Sequence, residues 1–158
     1  YDTYFLFDDP EKGRVRYRED DLIDEKGIVE SVRSRLTFTM PTKEKEFNSM
    51  VLLSHSRFIA DADRPLRFYR EYFKPKREVS VEKDRLRWHI RYKNTEFFIN
   101  LDEVKIPNMG HYLEIKSRTW SRKDADNKAK LASELLGLLG ASGAETETQD
   151  LIEILIQA

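Results

Sequence analysis

The chain contains no cysteine, which excludes disulfides, a thiolate nucleophile and a cysteine-ligated zinc site. Histidine is also scarce. His55, His89 and His111 are scattered along the sequence, which argues against a histidine-rich metal centre and leaves oxygen atoms as the available metal ligands. An excess of one charge is missing too, because 28 Lys and Arg face 29 Asp and Glu, a formal net charge of −1. Bulk charge therefore gives no support for nucleic acid or a membrane as partner; only local segregation of charge could. No apolar run approaches a membrane span and no signal-like leader is seen, so a soluble, cytoplasmic protein is expected. Repeats and low-complexity tracts are absent from the sequence as well.

What the chain does have is charge, at 36% of its residues, beside 39% hydrophobic residues. Its 158 residues are expected to form a single domain, 1–158, with a reasonable core. The charges fall into a pattern. In Arg14-Val15-Arg16-Tyr17-Arg18 every second residue is arginine, and in Arg33-Ser34-Arg35-Leu36-Thr37-Phe38-Thr39 the odd positions are again polar. Arg85-Leu86-Arg87-Trp88-His89-Ile90-Arg91-Tyr92 alternates most clearly, and Leu101-Asp102-Glu103-Val104 and Gly110-His111-Tyr112-Leu113-Glu114-Ile115 follow the same period. Such alternation predicts half-buried β-strands. Tyr1–Phe7 adds another strand, and the acidic stretch Glu19–Glu25 with Gly27 is expected to join the two arginine-bearing ones.

Helices are expected over Glu44–Ile59, over the first half of Leu66–Val81, over Ser121–Leu139 with Ser121 as N-cap and Gly140 after its end, and over Asp150–Gln157. A two-residue turn at Asn94-Thr95 would set Arg87 opposite Asp102, His89 opposite Asn100 and Arg91 opposite Phe98, so the basic face and the Asp102 face would be one. Strands with one apolar and one charged face make either an ordinary half-exposed antiparallel meander or an inside-out barrel whose charged faces line a wet tunnel. Trp88 and Trp120 are read as packing residues, His89 as structural, and Lys123, Lys128 and Lys130 as a solvated helix face.

The succession Asp2-Thr3-Tyr4-Phe5, Val15-Arg16-Tyr17-Arg18, Leu36-Thr37-Phe38-Thr39-Met40-Pro41, Lys76-Arg77, Leu101-Asp102-Glu103-Val104 and Gly110-His111-Tyr112-Leu113-Glu114-Ile115 resembles the CYTH superfamily, the triphosphate tunnel metalloenzymes. The resemblance covers nearly the whole chain. It implies an α+β fold dominated by β, an antiparallel tunnel barrel of the eight-stranded type lacking its first strand here, with flanking helices. It also implies a metal-dependent hydrolase of inorganic triphosphate or of a nucleoside or thiamine triphosphate. Arg16, Arg18, Arg77, Arg35 and Arg87 would hold phosphates, and Glu114, with Asp102, Glu44 and Glu46 as further acids, would hold Mg²⁺ or Mn²⁺. Guanidinium forks suit phosphate oxygens, and the metal would neutralise charge on the transferred group.

The sequence departs from that pattern in three places. The family's Glu-x-Glu-x-Lys strand would precede Tyr1, Thr39 stands where a phosphate-binding lysine is usual, and Lys116 stands where a second metal-binding glutamate is usual. An ammonium cannot ligate Mg²⁺. These departures motivate a second reading, a non-catalytic polyphosphate-binding or regulatory domain. Adenylate cyclase is a variant of the first reading, and an RNA-binding basic face is a third.

Overall fold

The computed structural model describes residues 1–40, 57–147 and 149–157. Seven strands are present among them, hydrogen-bonded in the order β4-β3-β2-β1-β5-β6-β7: β1 Asp2–Leu6, β2 Arg14–Ile23, β3 Val29–Thr39, β4 Arg57–Asp61, β5 Arg77–Tyr92, β6 Thr95–Ile106 and β7 Gly110–Lys116. Three helices accompany them, α1 Leu66–Phe73, α2 Arg122–Leu138 and α3 Leu151–Gln157. This is the β-dominated, antiparallel α+β class expected from the alternation. The chain divides into two compact units, Tyr1–Glu82 with Gln149–Ala158, and Lys83–Thr148.

In the first unit the two-residue period separates the faces of the sheet. Phe5, Val15, Tyr17 and Leu36 leave one face and are buried with Tyr69 of α1, while Phe38, Leu66 and Phe73 pack around them. Leu66, Tyr69 and Phe73 recur at helical spacing, which gives α1 the apolar stripe it lays on the sheet. Phe5 meets Phe73 at 5.9 Å and Tyr17 meets Tyr69 at 5.7 Å between ring centroids. Register then fixes what the opposite face carries: Asp2 pairs with Arg18, Tyr4 with Arg16, Arg16 with Thr37, and Arg18 with Arg35.

Two expectations in this unit are corrected. The acidic stretch does not simply connect strands, because β2 runs on to Ile23 and only Asp24–Gly27 turns. The Asp24 carboxylate closes that turn by accepting from the amides of Lys26 and Ile28, each at 2.8 Å, and Gly27 takes the left-handed φ of 79°. The helix expected over Glu44–Ile59 lies outside the described residues as far as residue 56, and its last residues are strand. Arg57–Asp61 pairs with β3, Phe58 opposite Phe38 and Ala60 opposite Leu36, because consecutive aromatic and β-branched residues suit a pleated edge.

In the second unit β5 and β6 meet through a two-residue loop at Lys93-Asn94, both with positive φ (45° and 61°), as a type I′ turn requires. The turn thus lies one residue earlier than Asn94-Thr95. Side-chain contacts follow this register: Arg85 meets Asp102, Arg87 meets Asn100 and His89 stacks on Phe98. A shift of two in pairing leaves every side chain on its original face, so the basic residues and Asp102 still share one. Phe97 and Ile99 are buried on the other. α2 begins at Ser121, whose hydroxyl accepts from the Asp124 amide at 3.2 Å, and Gly140 takes φ 75° beyond its end.

Candidate anion-binding faces

The polar face of the first unit is built by three strands. Asp2 is held by Arg18, whose Nε and Nη2 donate to its two carboxylate oxygens at 2.6 and 2.7 Å, and both side chains are buried. Burial opposes the guanidinium charge, yet the Asp2 carboxylate raises the Arg18 pKa above its ordinary value. Arg35 lies directly opposite Arg18 across the β2–β3 ladder, a like-charge pairing that costs stability unless acids intervene. Asp2 on one side and Asp20, which accepts from Arg35, supply them. Tyr4 sits beside Arg16 with its pKa raised, first by burial and then by the Asp2 carboxylate.

Compensation on this face is incomplete. Arg16 donates from Nη2 to the Thr37 hydroxyl at 3.2 Å, but its buried Nε has no acceptor, standing 3.8 Å from Asp2. The buried Nε of Arg35 is likewise without one. A buried donor left unsatisfied costs about 1–3 kcal/mol, so two on neighbouring arginines mark a place where an acceptor belongs. Arg14 is paired with Asp150 and lies 3.8 Å from Glu153 of α3. Arg77 shares the row of Leu6 and Arg14, exposed on the same face.

The second unit carries a separate network. Asp102 accepts from Arg85 at both oxygens, 2.5 and 2.6 Å, and from Lys83 at 2.9 Å. Fully buried Asn100 relays between strands, accepting from Arg87 Nε at 2.8 Å and donating to Glu114 at 3.0 Å. Glu114 also meets Lys116 at 2.9 Å and lies 3.8 Å from Arg85. Burial works against ionisation of both carboxyls, but cationic neighbours prevail: Arg85 and Lys83 hold Asp102 below its ordinary pKa, and Lys116 does the same for Glu114, helped by Asn100 and Arg85.

A divalent cation wants several oxygens with nothing positive between them. Here Lys83, Arg85 and Lys116 already surround two carboxylates, and among the described residues no group of three His, Asp or Glu side chains is placed to hold a metal. The donors described do not fit the Mg²⁺ or Mn²⁺ site that the resemblance implies. Glu44 and Glu46 lie outside the described residues.

A solved structure shares this fold. It is the PH1819 protein from Pyrococcus horikoshii OT3, 16% identical, with a TM-score of 0.67 over 99% of this chain and 82% of that one. No protein-family model matches the chain, and no curated protein does.

Of the residues singled out in the sequence, Arg16, Arg18, Arg35 and Arg77 fall on one face of the first unit, while Arg87, Asp102 and Glu114 fall on one face of the second. Asp2, Tyr4, Lys83, Arg85 and Asn100 were not singled out as site residues. Parity alone marks Lys83 and Arg85 with Arg87, and Asp2 with Tyr4, but nothing in a single strand shows which neighbour it pairs with. The two tryptophans are a correction. Trp88 is half exposed and Trp120 is 82% exposed, so neither is buried packing.

Proposed function

We propose that this chain is a polyphosphate-binding domain of the CYTH type, with the anion held on the arginine face of the first unit. The observation that supports it is the pair of buried, acceptorless Nε atoms on Arg16 and Arg35, beside Arg18, with Arg77 farther along the same sheet face. Phosphate oxygens accept several hydrogen bonds at once and carry the charge that four arginines on one face leave partly unmatched. The ammonium groups on Asp102 and Glu114 favour binding over hydrolysis, since both carboxylates are already neutralised.

Calorimetry with tripolyphosphate tests this reading. Arg16→Ala is expected to weaken binding roughly ten- to a hundredfold, the worth of one charge-assisted hydrogen-bonding group of about 1.5–3 kcal/mol. Arg16→Lys keeps the charge but not the fork, so it should recover only part of the affinity. Unchanged affinity in both Arg16→Ala and Arg35→Ala would remove the assignment. Phosphate release measured in parallel with Mg²⁺ or Mn²⁺ separates binding from the hydrolysis that the resemblance implies, and turnover lost in Glu114→Gln would establish the hydrolase.

A further inference from the structure

The segment Ser117–Lys123 presents an indole on a fixed platform. The Ser117 hydroxyl donates to the Glu96 carbonyl at 2.8 Å, the Trp120 amide donates to the Asp124 carboxylate at 3.0 Å, and Lys128 bridges Asp124 and the Arg118 carbonyl. An apolar residue just before an N-cap ordinarily packs on the residue five places on. Here that residue is Ala125, too short to cover an indole, so Trp120 stays in solvent. Arg118, Arg122 and Lys123 flank it, all exposed, and none makes an ion pair among the described residues. The nearest acids on the helix are Asp124, engaged by Lys128, and Asp126. A rigid Trp amid arginines is the composition of an interface anchor.

The β2–β3 hairpin has the opposite character. β1 reaches only to the Asp2–Arg18 pair and β4 only to the Asp61–Arg35 pair, so among the described residues the hairpin beyond them is a two-stranded ribbon. Such ribbons are marginal in water without a covered face. Leu22, Ile23, Ile28, Val29 and Val32 on it are each 48–60% exposed. Residues 19–33 carry six acids, Glu19, Asp20, Asp21, Asp24, Glu25 and Glu30, against Lys26 and Arg33. A protein with net charge near zero has thus gathered a basic aromatic knob in one place and an acidic apolar ribbon in another.

We propose that this chain self-associates, the Trp120 loop of one copy docking on the β2–β3 hairpin of a second. Each surface supplies what the other lacks: apolar contact for the indole, carboxylates for Arg118, Arg122 and Lys123, and a cover for the ribbon. One indole buries only about 150–250 Å² of the ~1,200 Å² or more that a stable interface needs, so the arginine and lysine stems contribute area as well. Made once, the contact is head to tail; exchanged reciprocally by two copies, it gives an isologous, closed dimer.

Sedimentation equilibrium of the full chain is expected to show salt-sensitive self-association, weakened roughly thirtyfold by Trp120→Ala. A charge swap identifies the surfaces. Arg118→Glu with Arg122→Glu in one variant, and Glu25→Lys with Glu30→Lys in another, should each be monomeric alone, with circular dichroism confirming the fold. Mixed in equal amounts they should associate again, because the reversed loop of one then faces the reversed hairpin of the other. A wild-type chain that stays monomeric to millimolar concentration, or a mixture that stays monomeric, overturns the proposal. So does a monomeric chain whose Trp120 emission, read in a Trp88→Phe background, shifts blue on phosphatidylserine vesicles or is quenched by single-stranded RNA.

Discussion

Asp2→Ala is expected to lower unfolding stability by about 3–5 kcal/mol at neutral pH, the cost of stripping one partner from a buried ion pair. Arg18 would be left buried and charged with Arg35 directly opposite on β3, and Arg16 would lose the acid 3.8 Å from its Nε. The loss therefore exceeds that of a single contact. Urea unfolding followed by circular dichroism measures it, and an unchanged m-value would show that the native and denatured states keep their compactness. Asp2→Ala combined with Arg18→Met should recover most of the loss, since an apolar replacement of both partners removes the uncompensated charge. Tripolyphosphate should stabilise Asp2→Ala more than the wild type, because the anion takes over the neutralisation of Arg16, Arg18 and Arg35. A loss below about 1 kcal/mol would mean that water reaches this pair.

The same face shows what a sequence can and cannot reveal. Alternation in Arg14–Arg18 and Arg85–Tyr92 announces strands, and parity tells which side chains travel together, because a period of two is a property of the single strand. Ser121 and Gly140 likewise mark the ends of α2, since each acts through its own backbone. Pairing is different. That Asp2 lies between Arg18 and Val81, or that Arg87 meets Asn100 and not Asp102, depends on which strands become neighbours and on whether Lys93-Asn94 or Asn94-Thr95 turns. Both dipeptides are polar, and only the pair that tolerates positive φ at both positions makes the tight turn. Phe58 and Ile59 are a related case: their spacing from Phe47 and Met50 suits a helix, while strand pairing with Phe38 and Thr37 decides their place.

Both charged faces follow one rule, in which arginine and lysine are brought close only where carboxylates from neighbouring strands interleave. On the second unit the interleaving is complete, with Asp102 and Glu114 matched by Lys83, Arg85 and Lys116, Arg85 reaching towards both, and Asn100 tying Glu114 to Arg87. On the first it stops short, at Arg16 and Arg35. That difference favours the first unit as the place of the proposed anion, and leaves the acids of the second engaged in a network of their own.

Asp102→Ala should accordingly cost about 3–5 kcal/mol at neutral pH, because Lys83 and Arg85 would remain largely buried with the carboxylate they share removed. Trp88, half covered in the second unit, reports the unfolding of that unit by fluorescence, best read in a Trp120→Phe background because Trp120 is already in solvent. Acid supplies the second readout. The folded Asp102 and Glu114 carboxyls are held below their ordinary pKa, so the unfolded chain binds protons first as the pH falls. Their stabilisation is then fully present above about pH 4, the ordinary carboxylate range, and is lost as the pH drops below it towards the folded values. Wild-type stability should therefore fall as the pH drops below about 4, while Asp102→Ala, already lacking the Asp102 contribution, should follow a flatter curve there. Parallel curves would show that Asp102 titrates alike in both states and that Lys83 and Arg85 do not hold it ionised.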